Sequence, residues 1–171
     1  MSTALPPSRE LFWRALVAFL VLPGTVAFLV PWLLRPDGTA FHWAGAPTFI
    51  VGTALLLWCT GAFYVAGRGS LAPWAPPERL VISGPYRVSR NPMYVAVLLI
   101  LSGWALGYRT RSLWIFTGAL LLAFHLRVLL YEEPWLARTH GDAWTDYASR
   151  VPRWLFRLHR PIGGRPGREA R

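Results

Sequence analysis

The chain contains no lysine, a single cysteine and only 8 acidic residues among 171. Without lysine no side-chain amine can form a Schiff base with a substrate, so that mechanism is excluded. One cysteine excludes an internal disulfide framework, and Cys59 lies in an apolar run where a small buried residue is the ordinary interpretation. The net charge of +10 comes from arginine alone, a bias that a GC-rich genome explains as readily as a need for guanidinium groups.

Signatures of several enzyme classes are also missing. The sequence has no glycine-rich phosphate loop, no Gly-x-Gly-x-x-Gly nucleotide signature and no nucleophile motif. His42, His140 and His159 are scattered without ligand spacing, and His125 is interpreted as a packing residue, so we expect no metal site. The basic C-terminal tail is expected to lie on anionic lipid headgroups rather than to bind nucleic acid.

What the chain has in excess is apolar sequence. Hydrophobic residues make up 54%, the mean hydropathy is +0.34, and 15% of the residues are charged. Soluble domains carry roughly a quarter charged residues. The apolar residues fall into four blocks, each near the length of a membrane-spanning helix. These blocks cover residues 11–34, 48–67, 92 to 107 or 108, and 112–131.

These blocks predict an all-α integral membrane protein, with about four transmembrane helices and a C-terminal cytoplasmic helical extension. A cleaved signal peptide is the less favoured interpretation of the first block, which contains Pro23 and Pro31 and has no small-residue cleavage site after it. We predict an N-terminal two-helix membrane region over 1–67, a core over 68–158 and a disordered basic tail over 159–171. Most arginines lie on one side of this topology, which places both termini in the cytoplasm.

Two polar clusters flank the hairpin formed by the third and fourth blocks. The first runs from Gly84 to Tyr94, and the second begins at Tyr131-Glu132-Glu133. Because a helical hairpin returns the chain to the side it left, the two clusters are expected to meet on the cytoplasmic face. Asn91 and Pro92 predict the N-cap and first residue of the third helix.

Each of these residues also has an ordinary interpretation. Two acids at a helix C-terminus oppose the helix dipole and can simply be a solvated end of a span. Tyr86 and Tyr94 can be aromatic residues of the membrane interface. Arg127 can extend towards the headgroups, although an arginine inside a membrane segment indicates function by default. In the functional interpretation, Arg87 and Arg90 hold an anionic group and the tyrosines stack on a flat ring.

The two clusters together resemble the isoprenylcysteine carboxyl methyltransferase family and its phospholipid and thiol methyltransferase relatives. The resemblance lies in Leu80-Val81-Ile82-Ser83-Gly84-Pro85-Tyr86 and Arg90-Asn91-Pro92-Met93-Tyr94, followed by Glu132-Glu133, Gly141, Tyr147 and Val151-Pro152. It covers residues 79–154, nearly half of the chain. It implies an integral membrane enzyme that uses S-adenosylmethionine at the cytoplasmic face and a lipophilic acceptor that enters from the bilayer.

The resemblance also implies roles for single residues. The arginine that family members place about one turn before the acidic pair contacts the acceptor, and Arg127 is the nearest match, offset by one residue. Many family members have histidine where this chain has Asn91, and an aromatic residue where it has His140. The implied cofactor-binding residues are Leu80, Val81, Tyr86, Arg90, Asn91, Pro92, Met93, Tyr94, Glu132 and Glu133.

The acceptor atom stays open, because a carboxylate, a thiolate or an unprotonated amine can each accept a methyl group without a strong base. Two other classes are weighed against the enzyme. A non-catalytic membrane protein that retains the methyltransferase fold would have no use for the acidic pair. A channel or transporter subunit would need polar residues in several spans, whereas only His125 and Arg127 qualify.

Overall fold

The computed structural model describes residues 20–66 and 80–155 of the chain. Its described part is all-helical, without a strand. The start of the first apolar block, the boundaries predicted near 67 and 158, and the basic tail lie outside the described residues.

Five helical elements follow one another along the described chain. Helix α1 consists of a wide π-type segment, Leu20–Leu29, and an α-helical turn, Val30–Leu34. The others are α2 (Ala46–Ala66), α3 (Pro92–Tyr108), α4 (Arg111–Arg127) and α5 (Glu133–Arg150). Short 3₁₀ turns precede α2 at Trp43–Gly45 and α3 at Gly84–Arg87.

The predicted limits of the apolar blocks agree with these helices at most ends. Helix α3 begins at Pro92 and ends at Tyr108, as predicted. The fourth apolar block ends near Tyr131, and the polar sequence beyond it is also helical. A π-type turn over Val128–Glu132 carries α4 directly into α5. The predicted separation at Gly141 is present as a kink inside α5, where the glycine has φ 50° and ψ −123°.

Two of the described helices are long and apolar enough to cross a membrane. One is the stretch from Trp43 to Ala62, and the other is the continuous helix from Arg111 to Arg150. Helix α3 has 17 residues and so spans about 26 Å. Most of the apolar surface of the two long helices faces outward, because only 22% and 17% of their most apolar windows are buried within the protein.

Helices α2 and α3 approach so closely that their contact depends on glycine. A Cβ atom at Gly52 would lie 2.7 Å from the backbone nitrogen of Ile100, and one at Gly103 would lie 2.7 Å from the Cβ of Phe49. Real Cβ atoms essentially never make such contacts. Small residues at helix contacts let backbones pack directly, which is a common source of stability between membrane helices.

A buried apolar core lies beside this contact, and α3 is at its centre. The indole nitrogen of Trp104 donates a hydrogen bond of 3.0 Å to the carbonyl of Ala27, which ties α1 to α3. At the end of the bundle where α3 stops, the His42 amide donates to the carbonyl of Gly107 at 2.8 Å. The core residues are Ala27, Leu56, Ala96, Val97, Ile100, Leu101, Trp104, Ala105 and Leu113.

The opposite end of the bundle carries the polar residues. The loop before α3, the N-terminus of α3 and the C-terminus of α4 all lie there, because α3 and α4 form an antiparallel hairpin. The end of α2 reaches the same place, where Cys59 packs in a small buried cluster with Val81 and Tyr86. The fold thus brings the two sequence clusters to one end of the helices.

Candidate functional site

Glu132 is the point where the two sequence clusters meet most directly. Its Oε1 accepts a hydrogen bond from the hydroxyl of Tyr94, at the start of α3, and another from Nε of Arg127 at 2.7 Å. Its Oε2 has no hydrogen-bond partner among the described residues and is not sealed from solvent. One carboxylate oxygen therefore holds the side chain in place while the other remains accessible to a ligand.

The π-type turn explains why Arg127 can reach Glu132. The two residues are five positions apart, and in a regular α-helix side chains four apart face each other. The wide turn at Val128–Glu132 accommodates one residue more per turn, so positions five apart become neighbours. Turns of this kind occur frequently at functional sites.

The surroundings of Tyr94 and Arg127 are aromatic. The Tyr94 ring stacks on Phe124 of α4 with centroids 4.4 Å apart, and the Arg127 guanidinium lies 5.7 Å from the centre of the Tyr131 ring. The side chain of Arg127 is 45% exposed. Phe124 was missed by the sequence analysis, although its position three residues before Arg127 places both on one helix face. The result is a half-exposed cation beside aromatic rings and a carboxylate.

Glu133 has different neighbours from Glu132, although the two acids are adjacent in sequence. Its Oε1 lies 3.0 Å from Nη1 of Arg90 and accepts from Nε of Arg153 at 2.8 Å. Its Oε2 accepts from Nη2 of Arg153, also at 2.8 Å. The hydrogen bond to Glu133 is the main cause that raises the pKa of Arg153. Each of the two acids is thus paired with arginine: Glu132 with Arg127, and Glu133 with Arg90 and Arg153.

The loop before α3 is fixed mainly by its burial. Tyr86 is 7% exposed and packs with Val81 and Cys59, and Gly84 adopts the left-handed region with φ 59°. Burial raises the pKa of Tyr86 well above its ordinary value, and the neighbouring Cys59 adds to this. Leu80, Met93 and Arg90 are partly buried, and Pro92 is buried. Tyr94, two residues after Pro92, links this part of the chain to Glu132.

The prediction that Asn91 is the N-cap of α3 is confirmed in position but not in the hydrogen bond of its side chain. Asn91 occupies the N-cap position, but its side chain makes no capping hydrogen bond. Its Nδ2 instead donates to the carbonyl of Arg153 at 2.9 Å. The side chain therefore bonds to a residue far away in the sequence and not to the first turn of α3, and no local sequence rule predicts such a partner.

The described residues thus form an all-helical protein with membrane-length apolar helices and a polar site, Tyr94–Arg127–Glu132, at one end. This architecture is that of a helical membrane protein with a site at the helix ends. A sequence model of the phospholipid methyltransferase family matches residues 40–143, which include all three of these side chains. The chain belongs to that family, and the family indicates a membrane methyltransferase.

Two curated relatives are similar over most of the chain. The cobalt-zinc-cadmium resistance protein CzcN of Cupriavidus metallidurans is 35% identical over 156 residues, which cover 85% of this chain and 62% of the relative. The nickel-cobalt-cadmium resistance protein NccN of Alcaligenes xylosoxydans xylosoxydans is 33% identical over 156 residues, covering 85% and 63%. The chain therefore spans less than two thirds of these relatives. Their names state a resistance and no reaction. No solved structure gave a significant match.

Proposed function

We propose that this protein is an integral membrane methyltransferase that transfers a methyl group from S-adenosylmethionine to a lipophilic acceptor. The observation that carries the proposal is the convergence of Tyr94 and Arg127 on one oxygen of Glu132, with the other oxygen left accessible. Tyr94 and Glu132 come from the two sequence clusters, and all three residues lie inside the part of the chain that matches the family.

The residues at this end of the bundle fit the chemical groups of S-adenosylmethionine. That molecule offers ribose hydroxyls and an ammonium group, which the accessible Oε2 of Glu132 can accept from. Its sulfonium is a cation of the kind that aromatic rings such as Tyr94 and Tyr131 stabilise. Its carboxylate requires a cation, and the exposed Arg87 on the loop is one. The donor set is therefore suited to the whole cofactor.

The bound cofactor supplies an electrophilic methyl group, and the chain supplies position and charge. Tyr94 and Arg127 fix the Glu132 carboxylate in one orientation, which lowers the entropy lost when a ligand binds. The half-exposed guanidinium of Arg127 can hold an anionic group of the acceptor while its Nε stays on Glu132. Carboxyl, thiol and amine acceptors all remain compatible, because none of them requires a strong base at this site.

The proposed topology has four spans, with the termini and the site on the cytoplasmic side. The outward apolar faces of α2 and α4 support contact with lipid, since they carry Ile50, Leu57, Trp114 and Leu122 in exposed positions. The arginine distribution supports the orientation. The lipophilic acceptor then enters from the bilayer, the polar cofactor enters from the cytoplasm, and the basic tail lies on anionic headgroups.

Binding of radiolabelled S-adenosylmethionine to the purified protein in detergent tests the proposal. We expect saturable binding by the wild type and at least a tenfold loss in Glu132→Gln, which removes a charge-assisted contact. Asp146→Asn is the matched control, because Asp146 is an exposed acid that pairs with Arg150 on α5. It should bind as the wild type does.

The same assay decides between the enzyme and the alternative. If the folded wild type does not bind the cofactor, the methyltransferase proposal is wrong and a non-catalytic membrane protein of the same fold replaces it. If binding is present, methyl transfer to carboxyl, thiol and amine amphiphiles can be compared between the wild type and Arg127→Gln. A selective loss with anionic acceptors would assign Arg127 to the acceptor.

A further inference from the structure

A short segment after α5 runs across the loop that precedes α3. This segment, residues 152–154, is called the strap. The carbonyl of Pro152 accepts from the Arg90 amide at 2.9 Å, and the carbonyl of Arg153 accepts from Asn91 Nδ2 at 2.9 Å. Ser89, which is 2% exposed, donates to the same Arg153 carbonyl at 3.4 Å. The backbone of the strap is therefore held by three successive residues of the loop.

The strap is also attached to the helices behind it. The Trp154 indole donates to Nδ1 of His125 on α4 at 3.3 Å, and the two rings stack. The Arg153 side chain forms a two-pronged contact with both oxygens of Glu133, at 2.8 Å each. A paired contact between a planar guanidinium and a carboxylate fixes orientation as well as distance. Glu133 is thus the anchor of the strap on α5.

The same loop is held by the second half of α5. The Tyr147 hydroxyl donates to the carbonyl of Tyr86 at 2.7 Å, and the Arg90 guanidinium lies 5.5 Å from the centre of the Trp144 ring. Trp144 and Tyr147 follow the kink at Gly141, whose positive φ turns the helix. Arg90 therefore contacts Glu133, Trp144 and the strap, so that one loop residue joins all three attachments.

The two adjacent acids consequently differ in how many of their carboxylate oxygens are free to bind a ligand. Glu133 uses both oxygens on arginines, and its side chain is 17% exposed. Glu132 uses one oxygen and is 25% exposed. We propose that Glu133 is a positioning residue and not a cofactor ligand: with Arg90 and Arg153 it holds the strap on the loop at Ser89–Asn91, and it thereby fixes the start of α3, from which Tyr94 reaches Glu132.

The part of this proposal that concerns ligand binding rests on the proposed function, whereas the part that concerns the strap does not. The physical reason for an effect on binding is preorganisation. A loop already held in its binding conformation loses less entropy when a ligand binds, so releasing it weakens affinity without removing a contact. Loss of residues that support ligating groups at metal sites costs about 10–100-fold in affinity. We expect a loss of about tenfold at this site.

Two measurements on the full-length protein in detergent test the proposal. Hydrogen exchange of a peptide that contains Arg90 reports the strap directly, because the Arg90 amide is protected by Pro152. Binding of S-adenosylhomocysteine reports the site. The variants are Glu133→Gln, Arg153→Gln and their double mutant, with Arg153→Lys as the milder change that keeps the charge. Arg138→Gln is the control, because Arg138 is exposed and bonds only within its own helix.

The proposal expects faster exchange at Arg90 in Glu133→Gln and Arg153→Gln, and about tenfold weaker ligand binding in both. The double mutant should lose no more than the larger single loss, because both changes remove one shared contact. Arg153→Lys should be intermediate in both measurements, and Arg138→Gln should match the wild type.

Other results would overturn it. If Glu133→Gln abolishes binding while Arg153→Gln binds normally, Glu133 is itself a ligand. Unchanged exchange at Arg90 in both variants would show that Glu133 does not hold the strap. If the wild type binds no ligand, the proposed function fails while the exchange results still decide the role of Glu133.

Discussion

Tyr94 and Glu132 are 38 positions apart in sequence, and the hydroxyl of the first donates a hydrogen bond to Oε1 of the second. The contact closes the α3–α4 hairpin at the end that carries the site. Arg127 donates to the same oxygen at 2.7 Å. One oxygen of this carboxylate accepts two hydrogen bonds and the other is accessible, so the group is oriented before any ligand binds. The predicted cofactor role of Glu132 depends on this orientation.

Tyr94→Phe should weaken S-adenosylmethionine binding by about tenfold. The variant keeps the ring that stacks on Phe124 but removes the hydroxyl, and a hydrogen bond to a charged group contributes about 1.5–3 kcal/mol. Equilibrium binding to the purified variant measures the change. Tyr108→Phe is a suitable control, because Tyr108 lies at the other end of α3 and stacks on Trp104 there. Equal affinities of Tyr94→Phe and wild type would show that the hydroxyl does not matter for binding.

The sequence predicts the ends of α3 well, because Asn91-Pro92 is a strong local start signal and the apolar run stops at Gly107-Tyr108. The polar pattern after Tyr131 still predicts a helix, and α4 does continue into α5. The π-type turn at Val128–Glu132, where Arg127 and Glu132 interact, has no local signature. The sequence pattern therefore predicts the helix but not the pairing of two residues five positions apart.

For the candidate site, the hairpin topology was enough to predict that the two clusters meet. It did not by itself separate the roles of Glu132 and Glu133. The resemblance gave the cofactor contact to Glu132 and left Glu133 as a neighbour that could bind an arginine of the loop, and Arg90 does contact it. That difference depends on Arg153, which belongs to a segment 20 residues beyond Glu133 and comes back through the kink at Gly141. The predicted cofactor-binding roles of the individual residues stay predictions.

Gly103→Ala should destabilise the protein by about 1–3 kcal/mol, the usual range for overpacking. The new Cβ would lie 2.7 Å from both the amide nitrogen and the Cβ of Phe49, so α2 and α3 must separate. Gly118→Ala is the matched control on α4, where nothing lies within 4 Å of the added atom. It should be neutral or stabilise by up to about 1 kcal/mol, because alanine favours helix. Thermal unfolding in detergent measures both.

A fall in stability of Gly118→Ala equal to that of Gly103→Ala would contradict the direct backbone contact between α2 and α3. Gly52→Ala provides a second site on the same contact, since its Cβ would lie 2.9 Å from the carbonyl of Ala96. Gly52→Ala and Gly103→Ala should therefore both lower the stability of the protein.

Raising the pH above about 10 should destabilise the protein in part through Tyr86. Burial, and then Cys59, raise the pKa of Tyr86 above its ordinary value of 10.0. The folded protein then keeps the phenolic proton at a pH where the unfolded chain has lost it. The stabilising contribution is therefore complete below pH 10 and declines as the pH rises towards the folded pKa.

Tyr86→Phe should show a shallower loss of stability than the wild type between about pH 10 and 12, because it has no phenol to ionise. Unfolding by denaturant at a series of pH values in detergent gives the two slopes. If the free energy of unfolding falls with pH at the same slope in Tyr86→Phe and in the wild type, ionisation of Tyr86 does not cause the loss of stability at alkaline pH.

The proposed topology places the loop before α2 and the end of α5 on opposite sides of the membrane. Thr39 and Ser149 are exposed at these two ends, and the native Cys59 is fully buried. The unaltered protein should therefore not react with a membrane-impermeant maleimide. On intact cells we expect Thr39→Cys to be labelled at once and Ser149→Cys only after permeabilisation. Ser112→Cys, at the same end of the bundle as Thr39, should behave as Thr39→Cys does. Three helices, α2, α3 and α4, cross the membrane between Thr39 and Ser149 in the four-span topology, so the two residues must lie on opposite sides. Labelling of Thr39→Cys and Ser149→Cys from the same side would therefore exclude this topology.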